Sequence, residues 1–324
     1  MSIGGYFELE LSRGEEYHSD AIRLNTGRNA FEYILRAKKY NKVYLPYYTC
    51  DVMLEPITKL NLDYEFYFID SNFVPIFNYS NVQENEVFVY NNYFGICDEQ
   101  TREVAPHCKN LIIDNSQAFY SKPIKGVDTF YSPRKFFGLP DGAYLYTDKL
   151  LDFNLEKDIS YKRCEHLLGR IDSGAETHFH SYKENSKDLS NQPIMEMSNL
   201  TKRLLASIDY NTIAQKRRQN FDFLHNKLGD RNILKFIISA TEVPMVYPLF
   251  VDNGPLLKQK LIANKIYVAT YWPNVFEWAE LNSFENELAK NLIAIPVDQR
   301  YSENDVDAIL NILFKFRKLL TCRF

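Results

Sequence analysis

Lys135 closes the segment Ser132-Pro133-Arg134-Lys135, and Asp114 closes Leu111-Ile112-Ile113-Asp114 a short way upstream. Each polar residue follows a brief apolar run, Leu111–Ile113 in one case and Thr129-Phe130-Tyr131 in the other. A carboxylate at the end of one strand and an amine at the end of the next is the pair that pyridoxal phosphate chemistry uses. The amine condenses with the cofactor aldehyde, and the carboxylate keeps the pyridine nitrogen protonated so that the ring withdraws electrons. Singly, a loop-capping aspartate and a surface lysine are the commoner readings. Together, with Ser132 three positions before the lysine, they point to a cofactor site.

Other residues offer binding rather than bond-making. Gly27, Arg28 and Asn29 open a segment in which Phe31, Ile34 and Leu35 recur at helical spacing. The free amides and dipole of a helix start favour a phosphate, glycine lets it approach closely, and Arg28 adds a charged donor. An ordinary helix start is the commoner meaning of a lone Thr-Gly. Ser132 is a second phosphate candidate or a turn serine before Pro133. Tyr48 and Tyr93 are candidates to cover a ring face, or packing residues. Arg134 meets a substrate phosphate or pairs with a neighbouring acid, and Tyr271-Trp272 faces a substrate entrance or packs in the core. His178 and His180 lack a matching ligand set, so no metal site is expected.

These residues need a scaffold. Short apolar runs at Val43–Leu45, Glu65–Ile69, Val87–Tyr90, Leu111–Ile113 and Ala143–Tyr146 alternate with helical segments, which implies an α/β fold with a mostly parallel sheet covered by helices on both faces. From about Ser198 the texture changes to a long amphipathic helix over Leu200–Leu228, strands at Val243–Val251 and Ile266–Thr270, a helix at Pro255–Asn264 and a last helix at Glu303–Leu320. The expected division is a large cofactor domain over 1–205 and a smaller α+β domain over 206–324. The polar stretch from Tyr161 to Asn191 reads as a surface excursion or lid.

Composition excludes several classes. Apolar residues at 45% and charged residues at 25% give an ordinary globular balance over 324 residues. A formal charge of −4 gives no reason to expect nucleic acid or an anionic membrane as partner. No apolar run approaches a membrane span, and the N-terminus lacks a basic-then-apolar leader pattern. The scattered cysteines Cys50, Cys97, Cys108, Cys164 and Cys322 read as reduced thiols of a cytoplasmic protein.

In order and spacing, five segments resemble the DegT/DnrJ/StrS family of sugar aminotransferases. They are Asn25-Thr-Gly27-Arg-Asn29-Ala30, Val43-Tyr-Leu-Pro46, Tyr93-Phe94-Gly95, Asp114-Asn-Ser-Gln117-Ala118 and Ile293-Ala-Ile-Pro296. The resemblance implies the fold of aspartate aminotransferase, a homodimer with sites at the subunit interface, and Lys135 and Asp114 as catalytic residues. It places the phosphate at Gly27, Arg28, Asn29 and Ser132, and Gln117 on the ring hydroxyl. It implies small-molecule substrates, with glutamate as donor and a nucleotide-linked keto-sugar as acceptor, in amino-sugar or surface-polysaccharide synthesis. It also brings Ser198 and Asn199 towards a partner's cofactor. Relatives commonly carry Glu-Gly-Gly where this chain has Asp141-Gly142-Ala143. Two alternatives stay open: a same-fold lyase or dehydratase, against which the presence of lysine rather than histidine argues, and a non-catalytic regulatory or binding protein.

Overall fold

The structure is a computed structural model and describes residues 3–316. The expected end of the last helix beyond 316, and Cys322, lie outside the described residues. In chain order the first half runs β1 (Ile22–Leu24), α1 (Gly27–Lys38), β2 (Lys42–Pro46), α2 (Leu54–Lys59), β3 (Asp63–Ile69), β4 (Pro75–Ile76), β5 (Glu86–Asn91), α3 (Asp98–Val104), β6 (Leu111–Asp114), β7 (Asp128–Tyr131) and β8 (Ala143–Tyr146). These strands form one sheet in the order β1-β8-β7-β6-β5-β2-β3-β4. The five strands from β7 to β3 are parallel; β8 runs antiparallel to β7, and β1 and β4 pair antiparallel at the edges. The expected mostly parallel sheet is therefore present.

Strand alternation sorts the side chains by type. Val43, Leu45, Val87, Val89, Ile112, Phe130 and Leu145 face α1 and α2. Their neighbours Tyr44, Phe88, Tyr90, Ile113, Tyr131 and Tyr144 face the opposite way, into a more aromatic core that continues into the C-terminal half. A sheet buried on both faces explains why these strands read as continuous apolar runs. It also places the many tyrosines inside: Tyr48, Tyr90, Tyr93, Tyr131 and Tyr144 are all fully buried.

The second half comprises α4 (Glu165–Ser173), α5 (Phe179–Asp188), α6 (Asn199–Ala206), α7 (Tyr210–Leu228), β9 (Val246–Phe250), α8 (Gly254–Ala263), α9 (Val275–Trp278), α10 (Phe284–Asn291), β10 (Leu292–Pro296) and α11 (Glu303–Lys315). β9 and β10 pair antiparallel as a small separate sheet. Two expectations are corrected here, and the excursion at 161–191 gains internal order. The helix over Leu200–Leu228 is two helices, because Asp209 leaves helical geometry to cap α7, accepting from the Thr212 N–H at 3.1 Å. The excursion at 161–191 holds two helices, α4 and α5, which pack on each other. No strand forms at Ile266–Thr270: Ile266 and Lys265 donate back to the last turn of α8, and β9 and β10 pair only with each other. There the apolar alternation of Ile266 and Val268 is met by packing on the core without a ladder. The expected division at 205/206 falls in the last turn of α6, whose Leu205 is fully buried.

Candidate cofactor site at the strand ends

The carboxyl ends of β2, β5, β6 and β7 converge with the start of α1 on one cavity of about 260 Å³, the scale of a single small ligand. In a parallel sheet this is where loops diverge and leave room for one. Its lining includes Gly27, Arg28, Asp114, Gln117, Ser132 and Lys135, so six of the sequence candidates are brought together.

Asp114 is the last residue of β6, and its carboxylate accepts the Ser116 N–H at 2.7 Å. Burial pushes its carboxyl above the ordinary 3.8, opposed by the charge of Lys135 and by Ser116. Lys135 ends a single 3₁₀ turn, Pro133–Lys135, that follows β7 directly. Pro133 fits the first position of that turn because its missing N–H would be unpaired there. The lysine's charge is also felt by the Cys50 thiol, which burial raises and Lys135 opposes. Carboxylate and amine thus occupy adjacent strand ends, as the sequence pattern required.

Gln117 is aimed by the turn Tyr93-Phe94-Gly95. The Phe94 N–H donates to Gln117 Oε1 at 2.9 Å, which leaves Gln117 Nε2 buried with no partner. The turn carries positive φ at both Phe94 (56°) and Gly95 (71°). A Cβ on Gly95 would come within 2.8 Å of the Val243 carbonyl, so glycine is required on two grounds. On the neighbouring strand end, Asn91 donates to Thr49 Oγ1 at 2.9 Å while its Oδ1 stays buried and unpartnered. A cavity lined by buried polar atoms without partners, Gln117 Nε2, Arg134 Nε and Asn91 Oδ1, is shaped for a polar ligand.

Thr26 caps α1, accepting from Asn29 N–H at 3.1 Å, and the first intrahelical bond runs from Ala30 N–H to the Thr26 carbonyl. A Cβ on Gly27 would lie 3.6 Å from Ser132 Cβ and 3.7 Å from Ser116 Oγ. The helix start, Ser132 and Ser116 therefore form a narrow cup.

Asn29, Tyr48 and Tyr93 lie elsewhere. Asn29 is not among the lining residues; its amide donates to the Gln192 and Pro193 carbonyls and holds that loop against α1. Tyr48 is not among them either: it is fully buried, edge-on to Trp272 at 5.1 Å and tilted against Tyr93 at 5.6 Å. Trp272 reaches the cavity instead. Arg28 lines the cavity, but its guanidinium is taken by Glu55 (2.8 Å) and Ser190 (2.7 Å). Ser198 caps α6 and Asn199 is exposed.

Sequence reasoning missed Asn91, Thr49, Cys50, Ser116, Ser186 and Leu189. Asn91 had a readable signal, a polar residue ending the apolar run Val87–Tyr90. Ser186 and Leu189 had none, since only the folding of α5 over the cavity brings them in. Asp141, at the departure from the family pattern, is structural. Its carboxylate is fully buried, pairs with Arg163 at 2.6 Å and accepts from Thr201 Oγ1 at 2.5 Å, tying the loop to α6. Among the described residues no cluster of metal-ligating side chains is present, and no helix is long and apolar enough to cross a membrane.

Comparison with solved structures turns on this architecture. The sugar aminotransferase CalS13 from Micromonospora echinospora superposes with a TM-score of 0.62 at 15% identity, covering 92% of this chain and 87% of that one. A DegT DnrJ EryC1 StrS aminotransferase from Brucella abortus gives 0.60 at 14% identity, with 91% and 85% covered. NtdA from Bacillus subtilis, solved with bound cofactor PMP, gives 0.63 at 15% identity, with 92% and 73% covered. The chain has the sugar aminotransferase fold. No family model matches the sequence, and no curated protein is similar to it.

In this chain the fold is locked at the lysine turn by Arg217 of α7, only 1% exposed. Its guanidinium donates to the Phe136 carbonyl (3.0 Å), the Met245 carbonyl (3.1 Å) and Gln299 Oε1 (3.0 Å), and its Cζ lies 4.6 Å from the Phe136 ring centroid. Burial pulls its pKa down to about 10, with Asp298 opposing. Arg217→Met keeps the volume but strands buried acceptors, so it is expected to lower stability by about 2–4 kcal/mol. Urea unfolding measures this; a loss below about 0.5 kcal/mol, the range of an ordinary surface substitution, contradicts the locking role.

Proposed function

We propose that this protein is a pyridoxal-phosphate-dependent aminotransferase that takes an amino group from glutamate and delivers it to a keto-sugar carried on a nucleotide. The observation that carries the reading is the shared cavity of Asp114, Gln117 and Lys135, on a fold common to sugar aminotransferases. The residues fit the cofactor. Gly27, Ser132 and Ser116 bound a cup that a side chain at 27 would enter, Gln117 Nε2 offers a buried unpaired donor, and Asp114 is a desolvated carboxylate whose charge Lys135 only partly offsets.

When bound, the cofactor supplies an aldehyde and an electron-withdrawing ring. The chain supplies the rest. Lys135 Nζ would hold the cofactor through its aldehyde carbon and, when free, would move a proton at the donor α-carbon. Asp114 holds the proton on the ring nitrogen. The amides at the start of α1, with Ser132, hold the phosphate through the helix dipole. Gln117 Nε2 donates to the ring oxygen, and Trp272, Met53 and Leu189 narrow the access of water. A homodimer is part of the proposal: Tyr161 just before α4, Leu168 and Ile171 on α4, and Phe179 and Tyr182 on α5 expose apolar side chains, a surface suited to a second copy.

The test is the second half-reaction. Protein charged with glutamate is expected to be discharged by a nucleotide-linked keto-sugar and not by simple 2-keto acids other than the donor's own. Binding energy from the nucleotide, remote from the reacting carbon, orients the keto group. Spectra followed after mixing decide it, and charging by glutamate without discharge by any keto-sugar nucleotide overturns the acceptor class.

A further inference from the structure

Arg134 is a desolvated cation without an anion. Its Nε is buried with no partner, and its contact to Ser186 Oγ is long, at 3.5 Å. The one carboxylate that acts on it, Asp141, is already engaged with Arg163 and Thr201. Among the described residues Arg134 makes no ion pair. Burial disfavours its charged form; Tyr182 and Asp141 oppose this in part, and the positive charges of Arg28 and Arg163 add to it. A buried guanidinium is stable only when a counter-charge and its hydrogen bonds are supplied, so this one is built for an anion that arrives from outside.

Its direction narrows the source. In a 3₁₀ turn successive side chains diverge by about a third of a circle. Lys135 faces Asp114 and Cys50, while Arg134 leaves the same turn towards Ser186 on α5, and both border the cavity. The cup at the start of α1 is a separate feature, made by backbone and by Ser132 and Ser116 around Gly27.

We propose that Arg134, flanked by Ser186, anchors an oxyanion carried by the substrate, a carboxylate or a phosphoryl group, and not the phosphate of the cofactor. The planar guanidinium matches either oxyanion through two parallel hydrogen bonds, which lysine cannot reproduce. The assignment to substrate rests on the cofactor reading above, whereas the anion site itself does not.

The experiment titrates wild type, Arg134→Gln and Arg134→Lys with succinate and with inorganic phosphate by calorimetry. Protein is loaded with pyridoxal phosphate, so that its own phosphate site is filled, and succinate is repeated on cofactor-free protein. Wild type is expected to bind at least one anion. Arg134→Gln weakens that binding by about 10- to 100-fold, and Arg134→Lys restores part of it. Affinity for pyridoxal phosphate stays unchanged in both variants. A preference for succinate assigns the site to a carboxylate, and a preference for phosphate assigns it to a phosphoryl group. Equal anion binding by wild type and Arg134→Gln overturns the proposal, as does a loss of pyridoxal phosphate affinity with anion binding intact. If no variant binds pyridoxal phosphate, the proposed function falls, while succinate on cofactor-free protein still tests Arg134.

Discussion

Lys135→Ala is expected to abolish amino transfer, lowering the rate of either half-reaction by on the order of 10⁴-fold or more, because one side chain both holds the aldehyde and moves the proton. Wild type loaded with pyridoxal phosphate is expected to be yellow, with absorbance that shifts on adding glutamate. The variant loses that band even where the cup at Gly27, Ser132 and Ser116 retains the cofactor through its phosphate. Lys135 belongs to a turn held by backbone bonds, Lys135 N–H to the Ser132 carbonyl at 3.2 Å and Phe136 N–H to the Pro133 carbonyl at 3.0 Å. Its side chain faces the cavity and is not part of the core, so truncation leaves the fold intact. Absorbance, single-turnover rate and a thermal melt separate the two effects. A wild-type protein that stays colourless after loading contradicts the cofactor itself.

Asp114→Asn is expected to slow proton abstraction by on the order of 10²-fold or more, the scale of losing one preorganised charge partner. The same substitution has the opposite effect on the cofactor-free fold. Burial raises the Asp114 carboxyl above its ordinary 3.8. At pH below 3.8 folded and unfolded chains both hold the proton, and the group costs nothing. As pH rises past that value the unfolded chain ionises first, so folding bears a cost that is complete once pH exceeds the raised folded value. Asparagine removes that cost, so cofactor-free Asp114→Asn is expected to be at least as stable as wild type at neutral pH, with the gap closing in acid. Pre-steady-state kinetics and urea melts across pH read both halves. Unchanged half-reactions mean that another acid holds the ring nitrogen; a less stable cofactor-free variant means that the carboxylate is better satisfied than its burial indicates.

Local chemistry fixed much of this protein in advance. Short β-branched and aromatic runs alternating with helical periodicity are enough to specify a parallel sheet covered on both faces, because no other arrangement buries such strands. The residues at strand ends were legible for the same reason: Asp114 follows an apolar run directly and Lys135 follows one after a short turn, so their placement needed only that the runs be neighbouring strands, which β6 and β7 are. The break at Asp209 was not legible, since the apolar positions of α6 and α7 keep a near-helical period across it while a capping carboxylate decides the geometry.

Tertiary packing alone decided the rest. Asn29 and Arg28 sit where a phosphate-binding helix starts, yet the loop carrying Gln192 and Pro193 claims one and Glu55 claims the other, both from distant sequence. Tyr48 stands two residues past a strand end, and the depth of the aromatic core, not its type, turns it away from the cavity. Ser186 and Leu189 arrive from a segment with no motif of its own, and only the fold brings Trp272 of the Tyr271-Trp272 pair to the cavity. Arg134 was ambiguous between ligand and neighbour until the structure showed Asp141, the carboxylate that acts on it, already paired with Arg163. A sequence states which groups are available to a site; whether a charge is left unpaired in it depends on all the others, and only the folded chain sums them.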